Sequence, residues 1–369
     1  MKEKEVEIVN IKDEREEELS TELYDIRSWG ADLSFRELIS RYEGDELVKP
    51  EMQRHYVWDK TEASRFIDSL LLGLPVPSIF LSRTDEEKLL IIDGYQRIMT
   101  VYDYFKGIWR EDGKVFKLSN SKKINSKWRG KAFSELEESL QRKITNTTIH
   151  AILFEQNKPT NNSNSMFLIF ERINTSGRTL NAQEIRNCIY QGKLNRSIIE
   201  FNGETNWRKL FGTEAADSRM QDVEQLTRII SFVVNNIESE DKESIQLKKY
   251  LNEFMERDLH KVIPEDVVEK LTKVFKWINT SLTQNAFRTY NLKKGKYNNK
   301  FHPPLFDAIV LACIKEIDQK GSLGNRANAE KNKLELLQNS EFTDAITVRT
   351  TRIENIKKRI RMAREALFK

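Results

Sequence analysis

Cysteine and histidine, the side chains that most often hold zinc, are scarce in this sequence. Cys188 and Cys313 are far apart and form no CxxC pair, which excludes a disulfide framework and a thiolate zinc site. The four histidines are His55, His150, His260 and His302. No two of them have the spacing of three or four residues that a helical zinc site or a His-metal nuclease finger uses. We therefore expect a protein of the reducing cytoplasm.

Long hydrophobic runs and the common enzyme signatures are also missing. The longest apolar stretch, residues 70–81, contains Pro75 and Pro77 and is shorter than the roughly 20 residues that cross a membrane. The N-terminus is charged, so we expect neither a signal peptide nor a membrane partner. The chain has no P-loop GxxxxGK[ST], no GxGxxG after a strand and no GxSxG elbow, which argues against P-loop NTPases, dinucleotide enzymes and α/β-hydrolases.

The most informative segment that is present is residues 89–100, LLIIDGYQRIMT. Its apolar run breaks at Asp93 and Gly94 and restarts with helical spacing, which predicts a strand, a glycine turn and a helix start. A helix start presents unpaired peptide N–H groups and about half a positive charge, and both favour phosphate. Arg97 could fork onto phosphate oxygens, and Asp93 could hold a metal-bound water or a ribose hydroxyl. This turn is our candidate active site.

Periodicity divides the chain into an α+β part and a helical part. In the first part it predicts helices at residues 34–41, 61–72, 98–105, 166–173 and 180–192, and strands at 77–82, 89–92 and 149–154, of which the first two form a hairpin. Glu37 lies three residues after Ser34, which predicts a helix cap at Ser34, and Asn181 or Thr179 could cap the helix in which Glu184 has the capping-box position. In the second part it predicts helices at residues 223–237, 245–255, 267–278, 305–316 and 349–367. We expect a flexible acidic tail at 1–27, a nucleotide-binding domain at 28–195 and a helical domain at 196–369.

Two basic segments stand out although the net charge of +4 is close to balance. Residues 114–131 hold seven basic residues and no acidic one, with Phe116 and Trp128 interleaved. A DNA-contacting loop and a solvated loop are both open for this segment. As a DNA-binding loop it would use Lys122, Lys123, Lys127 and Arg129. Residues 349–369 predict an amphipathic helix, whose basic side is open to the same two interpretations.

Two further segments place arginine beside an amide or a hydroxyl at the boundary of an element. The residues concerned are Gln53 and Arg54, and then Arg172, Asn174, Gly177 and Arg178. Each segment alone is also explained by a surface arginine or a turn. Together with the Asp93 to Arg97 turn, they supply the arginines, amides and helix start that hold the phosphates of a nucleotide.

At these residues the chain resembles a known family. The segments QRHYVW, IDSLLLGLPVPSIFL, IIDGYQR, FERINTSGRTLNAQEIRNCIYQG and MQDVEQLTRII are similar to the DGQQR-motif domain, domain of unknown function 262. That domain forms the N-terminal half of the GmrSD type IV restriction enzymes. The resemblance implies a ParB/sulfiredoxin-like α+β fold, binding and hydrolysis of a nucleoside triphosphate, and bacterial defence against phage or modified foreign DNA.

Carried over by position, the resemblance makes Asp93, Gln96 and Arg97 catalytic, with Asp93 also a metal ligand. The nucleotide contacts become Gln53, Arg54, Gly94, Tyr95, Arg172, Asn174, Gly177 and Arg178. Tyr95 stands where the family usually has its first glutamine, a departure that concerns nucleotide choice or turnover. The fused members carry an HNH-type nuclease domain after this one, and the C-terminal half here lacks the histidines for it.

The sequence therefore predicts a nucleoside triphosphatase that uses Mg²⁺ and senses or acts on foreign DNA. Its expected partners are a nucleoside triphosphate, DNA and a separate nuclease subunit, and a homodimer is open. One alternative is a non-catalytic, nucleotide-gated module that binds DNA or docks a partner, as ParB-like clamps do. Another is a metal-dependent endonuclease that uses Asp93 and Glu184.

Overall fold

A computed structural model describes eight stretches of the chain. They are residues 6–9, 25–48, 58–84, 86–158, 163–173, 180–282, 284–325 and 327–369. The described residues form two compact units. The N-terminal unit lies within residues 22–180 and includes 187–189, and the helical unit contains 181–186, 190–369 and the segment 6–9. Across these stretches, no helix has the length and apolar character that a bilayer crossing requires.

The N-terminal unit is built on a mixed five-stranded sheet. Its strands are β1 (Asp25–Ser34), β2 (Leu47–Val48), β3 (Ile79–Arg83), β4 (Leu89–Asp93) and β5 (Thr148–Lys158). They lie in the order β1-β5-β3-β4-β2. The predicted hairpin is confirmed, because β3 and β4 pair antiparallel. β1 begins three residues before the end of the segment predicted as a tail, and Ile8 in that segment forms a bridge with Phe301.

Helices accompany the sheet. They are α1 (Phe35–Glu43), α2 (Lys60–Leu72), α3 (Tyr95–Lys106), α4 (Glu138–Asn146) and α5 (Ser163–Ile173), with a 3₁₀ turn at Phe133–Glu135. The predicted cap at Ser34 is confirmed, since its hydroxyl accepts from the N–H of Glu37 at 3.2 Å. α2 ends at Gly73, whose φ is +76°. α1 and α2 pack against α3 and α4, and one apolar core joins these helices to the sheet.

The rest of the described chain is helical apart from a two-stranded ribbon. The elements are α6 (Ala182–Ile189), α7 (Lys193–Phe201), α8 (Thr205–Phe211), α9 (Gln221–Val234), a 3₁₀ turn (Ile237–Ser239), α10 (Leu247–Arg257), α11 (Glu265–Ser281), β6 (Tyr290–Asn291), β7 (Lys296–Tyr297), α12 (Pro303–Lys320), α13 (Ala329–Leu336), α14 (Ser340–Thr347) and α15 (Ile353–Leu367). The predicted fold class, an α+β part followed by a helical part, is confirmed.

The second basic segment, residues 349–369, contains helix α15, which packs within the helical unit. Its apolar stripe, from Ile353 to Leu367, is buried as predicted, and the helix packs against α12, α13 and α14. Several of its basic side chains are held in ion pairs: Arg359 with Asp307 and Arg364 with Glu316. The structure therefore favours the charged face of a packing helix for this segment.

Candidate functional site

Glycine is required at position 94 for two independent reasons. Gly94 follows the last residue of β4 and is the N-cap of α3, with φ at +103°. This left-handed conformation is strained for any residue with a Cβ. A Cβ at position 94 would also lie 2.3 Å from Cγ2 of Ile79 in β3. The DG turn thus sets the start of α3 directly against the neighbouring strand, without a capping side chain over it.

Asp93 and Arg97 form an ion pair across this turn. Nη2 of Arg97 donates to Oδ2 of Asp93 at 2.5 Å, and the two side chains are 11% and 27% exposed. Nε of Arg97 is buried and has no hydrogen-bond partner among the described residues. A buried donor without an acceptor is costly. The two charged residues that the sequence predicts at this site are therefore brought together, and one Arg97 donor is left without a partner.

Gln96 connects the helix start to the end of the QRHYVW segment. Its Oε1 accepts from the backbone N–H of Trp58 at 3.4 Å, and the Trp58 ring packs on Phe66 in α2. Trp58, the last residue of this segment, is therefore held beside the start of α3. Gln53 and Arg54 lie outside the described residues.

Tyr95 has a structural role that sequence patterns did not reveal. Its ring is 7% exposed, and its hydroxyl accepts from Nη1 of Arg110 at 3.0 Å. Arg110 also forks onto Asp103 of α3 at 2.5 and 2.7 Å. Burial raises the pKa of the Tyr95 phenol, so the group stays neutral. The residue that departs from the family motif is anchored by an arginine fifteen positions away, beyond the reach of local periodicity.

The two aromatic residues of the predicted DNA-binding loop attach it to the apolar core of the N-terminal unit. Phe116 and Trp128 are buried in the apolar core, so neither aromatic ring is available to stack on a nucleic-acid base. Oδ1 of Asp68 in α2 accepts from Nε1 of Trp128 at 2.7 Å and from the N–H of Asn125 at 3.0 Å. The loop is therefore attached to α2.

The four basic residues predicted to contact DNA fall into two groups in this loop. Lys122, Lys123 and Lys127 are exposed. Arg129 is only partly buried, and its guanidinium donates to the carbonyl of Ile124 at 2.6 and 3.0 Å. The three lysines are therefore available to a partner, whereas Arg129 closes the loop on itself.

The structure describes only part of the predicted segment from Arg172 to Arg178. Arg172 is exposed on α5, whereas Asn174, Gly177 and Arg178 lie outside the described residues. Glu184, the additional carboxylate considered for a nuclease, caps α6 in the helical unit, where its Oε2 accepts from the N–H of Asn181 at 2.7 Å. It also pairs with Arg219 at 3.2 Å. The predicted capping box of this helix is thereby confirmed.

The described residues contain no group of three or more His, Cys, Asp or Glu side chains that could hold a metal ion. Mg²⁺ bound with a nucleotide needs less, because one or two carboxylates, several waters and the phosphates complete its octahedral shell. Asp93, with its carboxylate 27% exposed at the helix start, fits that requirement. A magnesium ion would be held there only together with a phosphate ligand.

A five-stranded mixed sheet flanked by helices defines an α+β domain. Residues 35–191 match the family described as the GmrSD restriction endonuclease, N-terminal domain. The match confirms the family resemblance for this part of the chain, and it includes β4, Gly94 and α3.

Two other comparisons contribute less. No curated protein matches the chain. A solved structure of a Pnob8-like ParB-N domain is 10% identical, with 94% of this chain and 100% of that chain covered and a TM-score of 0.24.

Proposed function

We propose that the start of α3 binds and hydrolyses a nucleoside triphosphate with Mg²⁺, in a restriction-type defence against foreign DNA. The observation that carries this proposal is the Asp93–Arg97 pair at an uncapped helix start, with Nε of Arg97 buried and unpartnered. The peptide N–H groups of the first turn and the helix dipole favour an anion at this place. The match of residues 35–191 to a restriction endonuclease domain supports the biological role.

Each residue of the turn has a distinct task in this proposal. Arg97 and the first-turn N–H groups hold phosphate oxygens, and Asp93 holds the magnesium, which supplies charge neutralisation on the phosphates. Gln96 keeps the segment that ends at Trp58 beside the site. Arg54, in that segment, is a predicted contact to the same phosphates. Gln53, Arg172, Asn174, Gly177 and Arg178 remain predicted nucleotide contacts.

Arg97→Ala and Asp93→Ala are each expected to abolish nucleotide hydrolysis while the melting temperature stays within a few degrees of the wild type. The pair is mostly but not fully buried, so its loss costs about 1–2 kcal/mol. The assay measures phosphate release from ATP, GTP, CTP and UTP in Mg²⁺. Arg83→Ala is the matched control, because Arg83 lies in the same unit and pairs with Glu87 at the surface.

The same assay separates the competing functions when plasmid DNA is included. Hydrolysis that persists in both variants contradicts the assignment of the site. Nucleotide binding without phosphate release in the wild type indicates the non-catalytic clamp. Plasmid nicking that needs Mg²⁺ but no nucleotide indicates an endonuclease.

DNA contact by the loop at 114–131 is a second proposal, carried by the exposure of Lys122, Lys123 and Lys127 on a loop that Asp68 and Arg129 hold in place. Reversing all three charges to glutamate is expected to weaken DNA binding. It should also reduce the slope of log K against log salt by up to about 3, because each lost phosphate contact removes about 0.9.

A matched charge change distinguishes a specific surface from bulk electrostatics. Lys249, Lys273 and Lys331 lie in exposed pairs of the helical unit, and their reversal changes the net charge equally. We expect that control to leave the salt slope close to the wild-type value. Equal salt slopes in both triple variants and the wild type would contradict DNA contact by the loop and indicate a solvated loop.

A further inference from the structure

In the structure Asp93 and Arg97 pair with each other, whereas the proposed nucleotide site needs each of them to bind a different part of the ligand. Nη2 of Arg97 is 2.5 Å from Oδ2 of Asp93, so the arginine that would meet phosphate is engaged by the carboxylate that would meet the cation. Nε of the same guanidinium is buried, and no described residue supplies an acceptor for it. The pair satisfies Arg97 only in part, which leaves it ready to accept a ligand with more acceptor atoms.

The charges at the turn favour one form of the ligand over another. The Asp93 carboxylate cancels the Arg97 charge, and the helix dipole leaves only about half a positive charge at the site. A nucleotide without a cation would bring several negative charges toward Asp93, and Arg97 would have to leave its partner. With a divalent cation between them, the carboxylate and the phosphates attract instead of repelling.

Resting on the proposed function, we propose that Asp93 and Arg97 exchange partners when ligand binds. Arg97 leaves the carboxylate for the phosphate oxygens, and Asp93, once released, takes the divalent cation. Asp93 therefore acts as a selectivity element that admits the cation complex of a nucleoside triphosphate and rejects the cation-free nucleotide. The substrate class of the site is the metal complex, and the resting pair keeps the site closed to other phosphate anions.

The test measures affinity rather than activity. ATP, GTP, CTP and UTP are each titrated into the full chain by calorimetry, once with Mg²⁺ and once with EDTA. For the wild type we expect affinity to rise at least about tenfold with Mg²⁺, a difference of about 1.4 kcal/mol. In Asp93→Asn, Arg97 is freed and a negative charge is removed, so cation-free affinity should rise about tenfold and the Mg²⁺ effect should almost vanish.

Two further variants make the result decisive. Glu138→Gln removes a carboxylate from another i,i+4 pair of the N-terminal unit, that with Arg142, and should leave both affinities unchanged. Arg97→Gln leaves Asp93 unpaired, so cation-free binding should fall below the wild-type level while the Mg²⁺ effect grows. This opposite sign tests the exchange even where Asp93→Asn fails to fold, which a thermal melt reveals.

The outcomes separate the inference from the function on which it rests. A wild type that binds none of the four nucleotides overturns the proposed function. A wild type that binds with Mg²⁺, but in which Asp93→Asn shows no gain in EDTA and Arg97→Gln shows no larger Mg²⁺ effect, retains the site and overturns the partner exchange. A gain in Glu138→Gln equal to that in Asp93→Asn would also overturn it, because any lost negative charge would then suffice.

Discussion

Gly94→Ala is expected to destabilise the N-terminal unit by about 3 kcal/mol and to abolish nucleotide binding, since a left-handed non-glycine residue and an overpacked contact each cost about 1–3 kcal/mol. Both costs apply here, because φ is +103° and the new Cβ would lie 2.3 Å from Cγ2 of Ile79. Relief of that contact must move either β3 or the first turn of α3. Either movement displaces the N–H groups and Arg97 that the site uses.

Gly107→Ala is the control for the backbone effect alone. Gly107 ends the same helix with φ at +78°, and no atom lies within 4 Å of a Cβ built there. We expect a loss of about 1 kcal/mol and unchanged nucleotide affinity. The free energy of unfolding is measured in urea by circular dichroism, and nucleotide binding by titration. Equal losses in the two variants would show that the contact with Ile79 does not constrain the turn.

The parts of the site that sequence reasoning predicted are those with local signals. The strand, the glycine turn and the helix start at residues 89–100 follow from a change of periodicity at two adjacent residues. The caps at Ser34 and Asn181 follow from a glutamate three residues on. These signals lie within one turn of the residues they describe, so no knowledge of the tertiary structure is needed to read them.

The parts that were missed depend on partners distant in the chain. Tyr95 is held by Arg110, and Gly94 is constrained by Ile79 as well as by its own φ. β1 was not predicted because its pairing with β5 joins residues more than one hundred positions apart. Phe116 and Trp128 are interleaved with lysines in the sequence, and tertiary packing buries both. Local composition cannot indicate which side of a loop meets the core.

A cluster of charged side chains is buried in the helical unit, and amino-acid composition does not reveal it. The second large effect that we expect comes from disrupting this cluster. Asp307 of α12 is fully buried and accepts from Arg228 at 2.6 and 2.9 Å and from Arg359 at 2.8 Å. Burial, reinforced by Arg359, lowers the pKa of neighbouring His302 to about 4, so this imidazole is neutral at pH 7. One buried carboxylate therefore balances two buried guanidinium groups.

Asp307→Asn is expected to cost the helical unit about 3–5 kcal/mol, because it keeps the shape of the side chain but leaves two desolvated cations without a counter-charge. Hydrogen exchange of peptides from α12 and α15 should then be faster by about a hundredfold to about five-thousandfold. Asp318→Asn is the control on the same helix. Asp318 is 48% exposed and pairs with Lys270 at 2.8 Å, so its loss should cost no more than about 1 kcal/mol. Similar exchange rates in the two variants would mean that water reaches the arginines, and that the cluster is not the desolvated centre on which the packing of α12 against α15 depends.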